Sequence, residues 1–264
     1  MGDIPAVVRA VYGSDDLSSA PAFSGGFINF GYWDGISLDR PLGTDDRVRS
    51  ERNLYLRVLR ELRTEGDVLE VGCGLGVGCA LALRESGLAS VTGMDIHPDQ
   101  VERARRANAE EPGRLRFVRG AAESMPFEDA AFDAVYTVEA AQHFRDLAGF
   151  ARESARVLRP GGRLVITSFF LPDARDGVAE LLAERLDSFA SGLDVPHPLP
   201  ALTGELTAAG LARVSAESIG ESVWPGLDRF LAELDQPVQW PRNFLVSYRD
   251  GLLDYYVITA EKPG

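Results

Sequence analysis

Residues 68–78 read Val68-Leu69-Glu70-Val71-Gly72-Cys73-Gly74-Leu75-Gly76-Val77-Gly78. A short apolar run, a cluster of glycines and then a helical pattern make a strand–turn–helix unit. Glycines let the backbone turn tightly and approach a ligand closely. The helix N-terminus behind such a turn favours negative charge, a carboxylate or a phosphate. The dinucleotide fingerprint G-x-G-x-x-G is not met, because Val77 stands where its third glycine belongs. That weighs against a nicotinamide-dependent oxidoreductase. The spacing is G-x-G-x-G, with Glu70 two positions ahead of the first glycine. A tight turn with no ligand would also produce it, so the segment has to be read with its neighbours.

Working downstream, the pattern alternates. Strands are predicted over Ser90–Met94, Leu115–Val118, Phe132–Val138 and Arg163–Phe169, the last entered by a Pro160-Gly161-Gly162 turn. Helices are predicted over Val77–Ser86, Pro98–Asn108 and Leu147–Leu158. Strands alternating with crossover helices imply an α/β fold, a mostly parallel sheet with helices on both faces. Asp95 ends the second strand, twenty-five positions beyond Glu70. A carboxylate there can accept both hydroxyls of a ribose; it can equally cap the helix at Pro98. After Phe170 the pattern loosens. Helices are expected over Ala179–Phe189, Trp224–Leu234 and Asn243–Leu253, a proline-rich connection over Asp194–Pro200, and a helix-to-strand step over Leu206–Val214. Tyr255–Ala260 is a final strand at the same sheet edge, antiparallel through a hairpin. Upstream, residues 4–12 start a helix, Phe23–Asp34 is an aromatic, glycine-rich loop, and Thr44–Leu62 is an amphipathic helix.

The 264 residues suit one domain. It divides into an N-terminal helical cap (1–65), a ligand-binding core (66–170) and a lid with the last strands (171–264). A net charge of −13 repels phosphate backbones and anionic lipid, so neither nucleic acid nor membrane is an expected partner. No segment reads as a leader or a membrane span. Cys73 and Cys79 lack zinc-site spacing and are too few for a disulfide framework. They read as free thiols in a reducing cytoplasm, and no metal site is expected.

The segments VLEVGCGLGVG, VTGMDI, GAAESMPFEDAAFDAVYTVEAAQHF and ESARVLRPGGRLVITSF, in this order between about residues 66 and 170, resemble the successive motifs of class I, Rossmann-like methyltransferases that use S-adenosyl-L-methionine. FINFGYWD and the preceding Tyr12 are similar to small-molecule members: sugar and polyketide O-methyltransferases of antibiotic pathways, tocopherol-type C-methyltransferases and a related polyketide cyclase. The resemblance implies a seven-stranded sheet, S-adenosyl-L-methionine as cofactor and S-adenosyl-L-homocysteine as product. It implies roles as well. Glu70 and the backbone at Gly72, Gly74 and Gly76 would hold the methionine portion, Asp95 the ribose, and Ile96 the adenine. Family members often carry an acidic residue after the glycine corresponding to Gly120. Here Ala121 stands there, so the adenine contact passes to Glu123 and the backbone of Ala122. Tyr12 and Tyr32 would close over the methionine end, and Glu139 joins the cofactor-binding set.

Methyl transfer to a hydroxyl gains from a base that accepts its proton near neutral pH. His143 lies past the fourth strand, at the carboxyl edge where such sheets bind ligands, and relatives place a histidine base in this loop. His97 reads as solvent-facing and His197 as part of a lid-like connection. About half of Phe169, Phe170, Trp224, Phe230, Trp240, Phe244 and Tyr248 are expected to wall an acceptor pocket. Residues 1–40 and the aromatic helices near 224–250 are expected to form a mobile cover. The expected reaction is O-methylation of a hydroxylated natural product such as a polyketide or glycoside. C- or N-methylation, and a cyclase that binds the cofactor without methylating, remain alternatives. The oligomeric state is open, a homodimer included.

Overall fold

The computed structural model describes residues 4–13, 20, 22–109, 113–234 and 242–264. Helix α1 (Ala6–Tyr12) and the long α2 (Thr44–Leu62) precede β1 (Asp67–Val71). Then follow α3 (Val77–Glu85), β2 (Ser90–Asp95), α4 (Pro98–Ala107), β3 (Leu115–Arg119) and β4 (Phe132–Val138). Next come α5 (Leu147–Val157) and β5 (Leu158–Phe170), then α6 (Val178–Arg185), α7 (Asp187–Ala190) and α8 (Leu199–Ala208). β6 (Ala212–Ser218), α9 (Trp224–Ala232), α10 (Arg242–Arg249) and β7 (Asp254–Glu261) complete the described elements.

The seven strands form one sheet in the order β3-β2-β1-β4-β5-β7-β6. The first five are parallel, while β7 runs antiparallel to both β5 and β6, so the sheet is mixed. No hairpin joins the last two strands: α9 and α10 intervene, and β7 is inserted inside β6 rather than outside it. Leu69 and Val71 face one core with α5 and α8, whereas Val68 faces the other with α2, α3, α9 and α10. Burial on both faces explains why these strands read as nearly continuous apolar runs.

Two expectations shift in detail. The Pro160-Gly161-Gly162 turn lies inside β5, where the register against β4 slips between the Phe132–Leu158 and Ala134–Arg163 pairs and Gly161 takes φ +79°. The helix expected over 179–189 is broken at Leu186 into α6 and α7. Among the described residues no helix is long and apolar enough to cross a membrane.

Candidate functional site

A cavity opens at the carboxyl ends of β1, β2, β3 and β4, where the strand order reverses on either side of β1. Its floor is the glycine turn after β1. Gly72, Gly74 and Gly76 all hold positive φ (+77°, +51° and +73°), which a side chain would strain. Gly72 packs against Ala140, and a side-chain carbon on it would overlap the alanine methyl, whereas one on Gly74 would meet nothing within 4 Å. Gly72 and Gly74 line the cavity; Gly76 does not, and packs against Phe117 instead.

Asp95 closes β2. Its Oδ2 accepts the N–H of Gly74 (2.9 Å) and its Oδ1 that of His97 (2.8 Å), leaving a further lone pair on each oxygen for a ligand hydroxyl. Burial raises its pKa against those two stabilising bonds. Ile96 and Ala122 add apolar lining, with Glu123 at the exposed rim.

Glu70 does not reach the cavity. It faces α2 and α3 at 0% exposure, taking hydroxyls from Tyr55 (2.9 Å) and Tyr136 (2.9 Å) and the Cys79 thiol (2.8 Å). Burial pushes its pKa up to about 7, the three donors opposing. Glu70 therefore anchors the turn from behind, through Tyr55, which does line the cavity. Tyr32 also lies away from the lining: its N–H binds the Ser50 carbonyl (2.8 Å), and Gly26, Phe27 and Ile28 form the nearby wall.

Beyond β4 the backbone turns sharply. Glu139 adopts φ +46°, a strained conformation for a residue with a side chain. Its Oε1 accepts the Phe30 N–H (2.6 Å) and the Tyr255 hydroxyl (2.7 Å). Burial raises its pKa to about 7. The 3-10 turn Ala141–His143 then aims His143 into the cavity. Its Nδ1 lies 3.1 Å from Asp194 Oδ1 and 3.0 Å from the Leu193 carbonyl, two acceptors that fix the proton on Nδ1. Nε2 is left as the acceptor, 2.9 Å from the Tyr12 hydroxyl. Burial lowers the imidazole pKa, but Asp194's hydrogen bond and charge outweigh it, and the net shift is upward.

α1 lies across the opening and contributes Val8 and Tyr12 to the lining, with Pro5 just ahead of it. It is tied to α4 where Gln100 donates to the Tyr12 carbonyl (3.0 Å) and Arg103 to that of Gly13 (2.8 Å). His97 is not solvent-facing: it is 3% exposed, lines the cavity and caps α4 by accepting the Asp99 N–H. His197 is spent on the Phe144 carbonyl (2.6 Å).

The expected aromatic wall is core. Phe169, Phe170, Trp224, Phe230 and Phe244 are all below 5% exposure and none lines the cavity. Trp224 stacks on Phe244 at 5.2 Å, and Phe30 and Phe169 pack on the pair. Tyr248 sits beside this core, and Trp240 lies outside the described residues.

The cavity suits a cationic, nucleoside-bearing ligand. Its carboxylates (Asp95, Glu123, Glu139, Asp146) outnumber its one arginine, Arg145, and the open space at Gly74 borders the ribose-type acceptors of Asp95. Among the described residues no cluster of ligands could hold a metal ion.

The family described as methyltransferase domain matches residues 69–166. The chain is 31% identical to 27-O-demethylrifamycin SV methyltransferase of Amycolatopsis mediterranei, over 89% of this chain and 90% of that one. It is also 31% identical to erythromycin 3''-O-methyltransferase of Saccharopolyspora erythraea, over 91% and 85%. Among solved structures, geranyl diphosphate C-methyltransferase from Streptomyces coelicolor A3(2), with Mg2+, geranyl diphosphate and S-adenosyl-L-homocysteine, superposes with a TM-score of 0.75. That match has 20% identity, covers 89% of this chain and 92% of the other, and establishes likeness of fold.

Proposed function

This chain belongs to the S-adenosyl-L-methionine-dependent methyltransferase family, and from that premise we propose that it methylates a hydroxyl oxygen of a small natural product, with His143 as general base. The observation that carries the reading is the Asp194–His143 pair, which leaves Nε2 as a proton acceptor inside the cofactor cavity. Two full-length relatives named for antibiotic methyltransfer, one of them an O-methyltransferase by name, support the acceptor class.

The cofactor supplies an electrophilic methyl group on a sulfonium whose positive charge is lost on transfer. Gly72 and Gly74 admit it closely, Asp95 holds the ribose hydroxyls, and Ile96, Ala122 and Glu123 border the adenine. Glu139 and Tyr12 enclose the methionine end. Glu70, Gly76 and Tyr32 act from outside the lining, as supports of the turn and of the loop beside α2. His143 takes the acceptor hydroxyl's proton on Nε2 as the new O–C bond forms, and Asp194 stabilises the resulting imidazolium. In the resting geometry the Tyr12 hydroxyl (2.9 Å) and the Gln142 amide (3.3 Å) both approach that lone pair, so the acceptor hydroxyl must displace them. α1, fastened to α4 by two hydrogen bonds, then encloses the reacting groups away from water.

The test is to incubate the protein with adenosylmethionine and a panel of hydroxylated macrolides, ansamycins and glycosides, following methyl gain by mass spectrometry and its position by NMR. A methoxy product is expected. A new C-methyl or N-methyl group, or a rearranged product formed without adenosylhomocysteine, would reject O-methylation.

A further inference from the structure

Glu139 lines the cavity and forms no salt bridge among the described residues. Both side-chain hydrogen bonds it makes among the described residues fall on Oε1, from Phe30 and Tyr255. The buried cation nearby favours the ionised form of Glu139 by its charge but makes its direct contacts elsewhere. Arg47 on α2 pairs with Glu51 at 3.2 Å and donates to the carbonyls of Ala22 and Asn29. The other groups facing Glu139 are Tyr255 on β7, Tyr12 on α1, His143 on its own turn and Asp194 on the loop before α8. Asp194 disfavours its ionisation and the charge of Arg47 favours it, burial outweighing Arg47, while His143 is held by Asp194. A lone carboxyl held in a strained turn therefore borders a ligand that is cationic at sulfur before reaction and neutral afterwards.

We propose that Glu139 selects the cationic cofactor over its neutral product: Oε2 ionises, releasing a proton to solvent, when a sulfonium ligand sits in the cavity, and takes a proton back once the sulfur is neutral. This rests on the cavity being the adenosylmethionine site. The methyl group and the acceptor's proton move as described above; Glu139 exchanges its proton with solvent only. Its resting pKa near 7 makes the exchange accessible at neutral pH. Selection of this kind weakens product binding where it would otherwise inhibit.

The experiment is calorimetric titration of the whole protein with adenosylmethionine and adenosylhomocysteine from pH 5.5 to 8.5, in two buffers of different ionisation enthalpy. Adenosylmethionine binding is expected to release a proton below pH about 7, and its preference over adenosylhomocysteine to fall up to tenfold per pH unit on acidification. Glu139→Gln is expected to cut that preference about tenfold or more and abolish its pH dependence, the loss falling mainly on adenosylmethionine. His143→Gln is expected to retain the pH dependence, which separates the two titrating groups. Tyr255→Phe, which removes a donor from the carboxylate, is expected to move the midpoint upward and decides the matter should Glu139→Gln not fold. Binding of both ligands with a pH-independent ratio in wild type, or an unchanged ratio in folded Glu139→Gln, overturns this proposal alone. Binding of neither ligand overturns it together with the reading of the cavity.

Discussion

His143 and Asp194 make a base whose competence depends on one proton's location. With Nδ1–H held by Asp194 and Leu193, His143→Ala should lower single-turnover methyl transfer by about 10²–10⁴-fold while leaving cofactor affinity nearly intact. A rate within about threefold of wild type would reduce His143 to a packing residue. The pH dependence has a definite sign. The imidazole is a base only when neutral, so the rate rises with pH through a pKa that Asp194 holds above the usual value. Asp194→Asn removes the raising charge, so the rising limb moves to lower pH while the plateau drops; an unmoved limb would show that Asp194 does not set this titration. Asp95→Ala should weaken adenosylmethionine binding by removing charge-assisted bonds worth roughly 1.5–3 kcal/mol each, read by calorimetry on folded protein. His143 and Asp95 were legible because each follows a strand whose order places it at the ligand edge. Asp194 was not, since it arrives from a loop fifty-one positions beyond His143 that no periodicity registers. Glu70 was legible as a residue but not in depth: spacing says which strand a carboxylate ends, not which face it points from.

At the scale of elements, the aromatic helices test how well composition predicts surface. Aromatic density signals a large apolar payload but not whether it is buried against protein or ligand. Here α9, α10 and the loop at Phe30 bury it against each other. Trp224→Ala should therefore destabilise the fold by about 3–5 kcal/mol, as cavity-forming aromatic truncations do, seen as a lower denaturation midpoint. Were Trp224 an acceptor wall, the loss would fall on acceptor KM with stability spared. The buried polar layer under that loop has its own signature. Arg47, at 0% exposure, packs over Trp33 and Phe230 and pairs with Glu51. Burial raises the pKa of Glu51 to about 8, and those of Glu70 and Glu139 to about 7, from an ordinary 4.5. The folded state thus holds protons that the unfolded chain has lost. This contribution is complete below pH about 4.5 and disappears as pH rises to about 8. Glu51→Gln should flatten the decline of the thermal midpoint between pH 5 and 8; an equally steep decline would mean that Glu51 is ionised throughout. The strands and crossover helices of the first half were legible because burial on both faces leaves apolar runs, and turns punctuate them. Nothing comparable marks α6 to α10.

For the molecule as a whole, the cover expected from both ends of the chain reduces to one candidate. The loop from Phe23 to Trp33 is fixed by Arg47, and α9 and α10 belong to the core, whereas α1 has no buried residue of its own yet spans the cavity. Hydrogen exchange at residues 6–12 should slow when adenosylhomocysteine and an acceptor are bound, with α9 unchanged. Equal protection of α1 in both states would rule it out as a lid. The order of the sheet, β5-β7-β6, bears on how such a chain is made. β6 forms its ladder with β7 alone, and β7 is synthesised only after α9 and α10. A nascent chain on the ribosome that has already emitted β5 and β6 can seat neither against the other, and β5 waits with one edge bare. Completion of the sheet is thus deferred to a long-range insertion that must await α9 and α10, and until then β5 and β6 both offer unpaired edges to aggregation.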